Sequence, residues 1–479
     1  MKNSKDNFWH NLKSFSKQVA CIDTISNKSF TYAGLDEDAD KIANNIKLFR
    51  KGMVVLFTSN NYESIAAYIG ILKSENCVLL LDEKLNKEIR NDLINIYQPE
   101  FIITSFENQP KEYQYNLKFE SLIFYKRNSD AVGNIFPDLG VLLSTSGTTG
   151  SPKLVRLTYK NIQSNAESIA EYLHINNNER PITTLPINYS YGLSIINSHL
   201  LEGATIVLTD KTVFFREFWN LFNSQKCTSF AGVPYTYTML KRINFDDIGL
   251  PTLKTMTQAG GKLSEEFIRY FNSYAHKNKV DFYVMYGQTE ATARISYVPA
   301  EKLKDKIGSI GIPIPGGTIK IVNDGLEVTS PNVTGEIVYE GNNVMLGYAE
   351  NRADLNKGDE LNSVLFTGDL GYKDADGYFY VTGRTKRFIK IFGLRINLDE
   401  IQKMIENHFG ISAACTGKDD LLSVLIQSED PLTEVNVKNE ILKVYKLNFK
   451  TVVVKLTNII PTNSSGKYDY KKINEFFEK

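Results

Sequence analysis

The chain has 479 residues, more than one hydrophobic core commonly supports, so two or more packing units are expected. Hydrophobic residues make up 42% and charged residues 23%, which is ordinary globular usage and excludes fibrous, disordered and membrane classes. Lys plus Arg and Asp plus Glu both total 55, so there is no global field to attract nucleic acid or an anionic membrane, and a small or neutral partner is favoured.

Taken in chain order, the N-terminal MKNSKDNFWHNLKSF lacks the apolar stretch of about 7–15 residues that a secretory signal needs. Apolar runs such as Cys77 to Leu81 fall far short of the ~20 residues that span a bilayer. A cytoplasmic protein with no membrane insertion is expected. From Phe30 onward, helical stretches alternate with short apolar runs: DEDADKIANNIKLF, MVVLFT, YESIAAYIGILKS, CVLLLD, IRNDLINIY and FIITS. Strands that read as unbroken apolar runs belong to a largely parallel sheet covered on both faces. A second set follows, with a helical stretch from Asn161 to Leu173, the run ATIVLT at 204–209 and a helix through FREFWNLFNSQ. Two α/β sheets are expected.

Around Gly308 the texture changes to GSIGIPIPGGTIKIVNDG and GEIVYEGNNVMLGY, where Gly and Pro punctuate short alternating strands of a β-rich subdomain. Beyond TGDLGYKDADGYFYVTGR lies a compact set: a helix at LDEIQKMIENHF, a helix near EVNVKNEILKVY, the strand TVVVKL and the polar loop NSSGKYD. That set reads as a separate small α+β domain. Cys21, Cys77, Cys227 and Cys415 show no CxxC spacing, and His10, His174, His199, His276 and His408 form no paired ligand motif. Neither a disulfide framework nor a histidine-built metal site is expected.

Residues 144–153, STSGTTGSPK, crowd glycine and hydroxyl side chains directly after a predicted strand. Glycines let the backbone approach an anion, and hydroxyls with backbone N–H groups cradle phosphate oxygens. This is not the kinase-type P-loop, because Pro152 precedes Lys153 and Leu154 follows it. Further on stand QAGGKL at 258–263, YGQTEAT at 286–292, TGDLGY at 367–372, GRTKRFIKIFGLRINLDEI at 383–401 and PTNSSGKYD at 461–469.

These six segments, in this order, resemble the motifs of the adenylate-forming superfamily, which comprises acyl-CoA synthetases, adenylation domains of peptide synthetases and luciferases. The resemblance covers essentially the whole chain. It implies an α/β fold: a large N-terminal domain, 1–383, of two α/β subdomains plus a β-rich subdomain, then a hinge at about 384–386 and a small mobile C-terminal α+β domain, 387–479. ATP and Mg²⁺ are the implied cofactors. Ser144, Thr145, Ser146, Gly147, Thr148, Thr149, Gly150 and Lys153 would hold phosphates, Gly260 and Gly261 would admit the adenine, and the ring of Tyr286, followed by Gly287 in the nucleotide site, would pack on it. Thr289 would meet the α-phosphate and Glu290 would bind Mg²⁺, which is commonly held by one carboxylate plus phosphates. Asp369 would accept from both ribose hydroxyls, as two carboxylate oxygens can. Arg384 would contact the nucleotide, Lys386 would be the hinge, and the stretch from Lys390 to Gly393 would face the thiol acceptor. Lys467 would be the catalytic lysine, a point cation bridging two anions that otherwise repel.

The implied reaction has two steps. A small carboxylic acid attacks the α-phosphorus of ATP to give acyl-AMP and pyrophosphate, and the acyl group then passes to a thiol with release of AMP. The thiol is coenzyme A or the phosphopantetheine of a carrier protein in trans, since no carrier domain is fused to the chain. Amino-acid adenylation is the alternative, and a non-catalytic nucleotide or acyl binder is the other class; the presence of Lys467, Glu290 and Asp369 favours catalysis. Three positions depart from the family pattern. Tyr189 stands where NYSYGL often opens with His, and Ser190 stands where peptide-synthetase domains commonly carry Asp. Leu154 stands in place of the usual Gly. Pocket walls are expected from Tyr189, Tyr191, Gly232, Val233, Gln258 and Met285.

Overall fold

The computed structural model describes residues 7–107, 110–129, 133–144, 153–384, 387–391, 394–418, 420–445, 447–462 and 467–478, with the side chains of 388, 390, 394, 395 and 397 also outside that set. The chain divides into two compact units: the first takes in the described residues of 1–147, 151–318 and 340–365, the second those of 319–339 and 366–479.

In the first unit, the apolar runs form the centre of an eight-stranded sheet. Strands Leu139–Ser144, Cys77–Asp82, Met53–Thr58 and Phe101–Thr104 lie side by side and parallel. Met53–Thr58 is buried at every position, as a strand covered on both faces must be. Antiparallel strands close both edges, with Leu154–Thr158 and Gly347–Ala349 on one side and Leu122–Arg127 and Tyr113–Phe119 on the other. Leu154 is fully buried, starting a strand that pairs with both Ser144 and Ala349, so a side chain is needed there for packing where the family pattern has Gly.

The second sheet of this unit has nine strands, six of them parallel in the order Val19–Asp23, Ile206–Leu208, Pro181–Ile182, Ser229–Gly232, Thr255–Gln258 and Asp281–Tyr286. Helices Tyr32–Asn45, Tyr62–Lys73 and Ser190–Leu201 contribute to one apolar core that draws on both sheets. Tyr62–Lys73 is apolar nearly all round, which suits a helix enclosed by other elements. Helix Tyr159–Tyr172 begins with a reciprocal capping box, in which the Asn161 amide donates to Thr158 Oγ1 at 3.0 Å and the Thr158 amide donates to Asn161 Oδ1 at 2.7 Å.

The second unit carries most of a five-stranded sheet in the order Leu326–Glu327, Gly317–Asn323, Gly335–Gly341, Val364–Lys373 and Phe379–Arg384. It also holds the hairpin Phe388–Ile391 with Leu394–Asn397, and a three-stranded sheet, Ala413–Lys418, Leu421–Gln427 and Val452–Thr457. Helices Leu398–Phe409 and Pro431–Tyr445 pack on that small sheet through Ile401, Ile405, Val437 and Ile441. The architecture is the α/β class expected. No helix among the described residues is long and apolar enough to cross a membrane.

Candidate active site

Ligands of parallel α/β sheets bind beyond the carboxyl ends of the strands, because helix N-termini and loops converge there. Of the predicted residues, Gly232, Val233, Gln258, Gly260, Gly261, Met285, Tyr286, Gly287, Thr289 and Glu290 lie at or just past the carboxyl ends of strands in the first unit. Strand Ser229–Gly232 ends at Gly232, which is in register with Gln258, and Gln258 is in register with Val284 just before Met285 and Tyr286. Beyond these ends lie Val233, Gly260, Gly261 and Gly287. Gly260 has φ +84°, and a Cβ on it would stand 2.6 Å from the Tyr189 hydroxyl oxygen and 3.1 Å from Val233 Cγ1, so Tyr189, Val233 and Gly260 share one small space. Gln258 is buried and its amide donates to Gly261 O at 2.8 Å, fixing the glycine turn from within.

The YGQTEAT segment folds back on itself tightly. A Cβ on Gly287 would lie 1.9 Å from Ala293 O, so only glycine lets the two arms of the turn touch. The Ile295 amide donates to Tyr286 O at 2.9 Å, closing the turn into the antiparallel pairing of Asp281–Tyr286 with Ser296–Val298. Thr292 has φ +62°, a costly conformation for a β-branched residue. It is held by its own hydroxyl, which donates to Asn343 O at 2.7 Å, while the Asn343 amide donates to Ala291 O and Arg294 O at 2.8 Å each. Strain of this kind concentrates at functional sites. Its effect here is to set Thr289 and Glu290 on a rigid short 3-10 turn, Thr289–Ala291. Thr289 Oγ1 lies 3.2 Å from Ser190 Oγ, at the start of helix Ser190–Leu201.

Glu290 is met by a residue that the motifs do not contain. Tyr348 Oη donates to Glu290 Oε1 at 2.8 Å. Partial burial and the neighbouring carboxylate push the Tyr348 phenol well above its ordinary pKa, so it stays a donor. Lys153 Nζ stands 5.5 Å from the Tyr348 ring centre and 3.0 Å from Glu350 Oε1. Fully buried Arg156 anchors this edge: its Nε donates to Tyr348 O at 3.1 Å, and its Nη2 pairs with Glu360. Lys153, Glu350, Tyr348 and Glu290 thus form one chain of polar contacts beside the end of the strand pair where Ser144 meets Leu154. Thr145, Ser146, Gly147, Thr148, Thr149 and Gly150 lie outside the described residues.

Of the predicted pocket residues, Tyr191 donates to or accepts from Thr257 Oγ1 at 2.8 Å and carries Arg294 over its ring, with Cζ 4.0 Å from the centroid. Met285 faces Tyr172, whose hydroxyl donates to Sδ at 3.0 Å. In the second unit, Asp369 and Arg384 are cross-strand partners, with Arg384 Nε donating to Asp369 Oδ1 at 2.8 Å. The Asp369 side chain is 4% exposed and that of Arg384 is 59% exposed, so the arginine covers a carboxylate held in a fixed place. Lys467 is exposed. Lys386 and the Lys390 side chain lie outside the described residues.

The donor set suits MgATP. Hard oxygen ligands are at hand in Glu290, and no group of three or more His, Cys, Asp or Glu that could cage a metal exists among the described residues. A cation shared between one carboxylate and phosphates needs no such cage. Tyr348, Glu350, Asn343 and Arg294 were not among the predicted residues. They carry no local motif, and only strand pairing brings Tyr348 to Glu290 across a separation of 58 residues.

The model of the AMP-binding enzyme family matches residues 8–349, which takes in STSGTTGSPK and YGQTEAT and ends before Asp369 and Lys467. The oxalate–CoA ligase of Arabidopsis thaliana is 27% identical, over 71% of this chain and 68% of that protein. The 2-succinylbenzoate–CoA ligase of Bacillus licheniformis is 32% identical over 59% of this chain and a little over half, 58%, of its own length. The solved O-succinylbenzoate coenzyme A synthetase from Bacillus subtilis in complex with AMP has the same fold, with a TM-score of 0.78 at 22% identity over 98% of each chain. By family match, relatives and fold together, the chain belongs to the AMP-binding enzyme family and is an adenylate-forming enzyme of the AMP-forming acid–thiol ligase kind.

Proposed function

We propose that the chain activates a small carboxylic acid with MgATP and passes the acyl group to coenzyme A. The observation that carries this reading is the convergence, at the carboxyl ends of one parallel sheet, of the Ser190–Thr289 hydroxyl pair with the Glu290–Tyr348 contact. In the first step an acid oxygen attacks the α-phosphorus in line, the bond to the pyrophosphate oxygen breaks, and acyl-AMP forms. Ser144 to Gly150 and Lys153 hold phosphates, Thr289 meets the α-phosphate and Tyr286 lies against the adenine. Mg²⁺, when bound through Glu290, supplies positive charge against the phosphates. Asp369 takes the ribose hydroxyls, with Arg384 beside it. Lys467 neutralises the charge of the attacking carboxylate and the α-phosphate, so catalysis is positioning plus electrostatics. In the second step the thiol sulfur attacks the acyl carbon and AMP leaves, after the C-terminal domain turns about Lys386 to bring the Lys390 stretch to the acceptor.

Coenzyme A is the favoured acceptor because the curated relatives include CoA ligases of several different acids. An amino acid is disfavoured: Ser190 bonds Thr289 and offers no carboxylate for an α-ammonium group. Carboxylate-dependent ATP–pyrophosphate exchange over a panel of acids, then AMP release with coenzyme A, tests the proposal. Exchange is expected with at least one acid. No exchange with any acid would remove the activity, and AMP release only with a carrier protein would move the acceptor to phosphopantetheine.

A further inference from the structure

Arg294 is among the largest fully buried side chains of the chain, with 2% of its surface exposed. Among the described residues no carboxylate lies within ion-pair distance of it, its Nε is buried with no hydrogen-bond partner, and its hydrogen-bond partners are neutral: Ala293 O, 3.5 Å from Nη1, and the Tyr172 phenol. The Tyr191 ring beneath it and the Tyr172 phenol beside it are neutral and do not balance a full charge. Arginine keeps its proton in proteins, so the guanidinium is a fixed cation in a place where an uncompensated charge is costly.

Beside it opens a cavity of about 30 Å³, whose wall includes Arg294, Thr257, Ser194, Ser198, His199 and Ala231. His199 adds no charge near neutral pH, since burial lowers its pKa to about 4 despite the opposing 2.8 Å hydrogen bond between its Nδ1 and Ile195 O. Glu179, the carboxylate on this wall, is already engaged by Lys254 Nζ at 3.0 Å and by the Thr228 hydroxyl. Arg294 is therefore the full positive charge on the wall among the described residues. The space has room for at least one water-sized polar group beside the guanidinium. Arg294 is joined to the predicted pocket through Tyr191, whose ring centre lies 6.4 Å from that of Tyr189 beside Gly260, while Pro181, Ser229 and Thr255, each opening its strand, line the far side of the cavity.

We propose that the acid activated by this chain is a dicarboxylic acid, and that Arg294 pairs with the carboxylate remote from the reacting one. The planar fork of a guanidinium matches a carboxylate bidentately, which makes arginine the natural reader of such a group. The inference rests on the adenylation reading and deepens it.

The test uses the full chain in ATP–pyrophosphate exchange with dicarboxylates of increasing length, each compared with its own monoamide. The best dicarboxylate is expected to exceed its monoamide in kcat/KM by at least about 100-fold, since a site built for a charged partner is left unpaired by the neutral analogue. Arg294→Leu is expected to abolish that preference, and Arg294→Lys to retain part of it. Equal or better kcat/KM with monoamides or plain monocarboxylates in the wild type would overturn the inference while leaving adenylation standing. That wild-type comparison decides the matter even where a variant fails to fold. Exchange with no acid at all would remove the adenylation reading, and this one with it.

Discussion

Gly287→Ala perturbs the turn that positions Thr289 and Glu290 without removing any functional group. The added Cβ would stand 1.9 Å from Ala293 O, 2.7 Å from Ala293 C and 2.9 Å from Arg294 Cα, all backbone atoms that no rotamer change can move aside. Carbon contacts relax only near 3.5–4.0 Å, so the two arms of the turn must part by more than about 1 Å. Overpacking of this sort costs about 1–3 kcal/mol of stability. The larger effect is on function, because a misplacement of about 1 Å in a positioned group costs on the order of 100-fold in rate. Carboxylate-dependent exchange is therefore expected to fall about 100-fold, equivalent to about 2.7 kcal/mol in the barrier. Gly249→Ala is the control: a Cβ there meets nothing within 4 Å, and its activity and midpoint of unfolding should match the wild type. A folded Gly287→Ala protein with exchange within a few-fold of wild type would refute the idea that this turn sets the catalytic geometry.

Tyr348→Phe removes the hydroxyl that orients Glu290 and is expected to raise the Mg²⁺ concentration needed for half-maximal exchange by about 10-fold, the usual cost of losing a partner behind a metal ligand. Asp369→Asn should raise KM for ATP by about 10-fold or more, as loss of a charge-assisted hydrogen bond does, with Tm monitored to separate binding from folding. Lys467→Ala is expected to block exchange yet spare thioester formation from supplied acyl-AMP; unimpaired exchange in that variant would remove its role. His199 sets a pH dependence. Its folded pKa, about 4, lies below the ordinary 6.5, so between those values the unfolded chain binds more protons. Its stabilising contribution is complete above pH 6.5 and is lost as pH falls toward 4, about 3 kcal/mol in all. Urea unfolding at pH 7 and 4.5 should therefore show a smaller acid loss for His199→Gln than for the wild type.

Elements whose boundaries depend on apolar runs were legible in the sequence. MVVLFT and CVLLLD are strands from end to end, and LDEIQKMIENHF is a helix over the same residues. Boundaries set by capping were less so. The helix read from DEDADKIANNIKLF begins earlier, at Tyr32, because the Thr31 side chain accepts from the Gly34 amide, and it stops at Asn45 before IKLF. Likewise Asn161, read as a helix start, lies inside the first turn and closes the cap of Thr158. Arg294 was hidden for a different reason: a charged residue near a short strand, ARISYV, usually faces water, and only the packing of Tyr191 and Tyr172 encloses it.

The order and composition of the motifs by themselves pointed to the family, because the residue types of STSGTTGSPK and YGQTEAT answer chemical demands that survive any detail of packing. Which further side chains serve them was decided by tertiary structure alone. Tyr348 reaches Glu290 only because Arg156 and the pairing of Gly347–Ala349 with Leu154–Thr158 hold that edge strand in register. Arg294 becomes a buried cation only because the turn closed at Gly287 and Ala293 directs it beneath the sheet end toward Tyr191. Register and turn geometry are long-range outcomes of strand pairing, and no local pattern of residues encodes them.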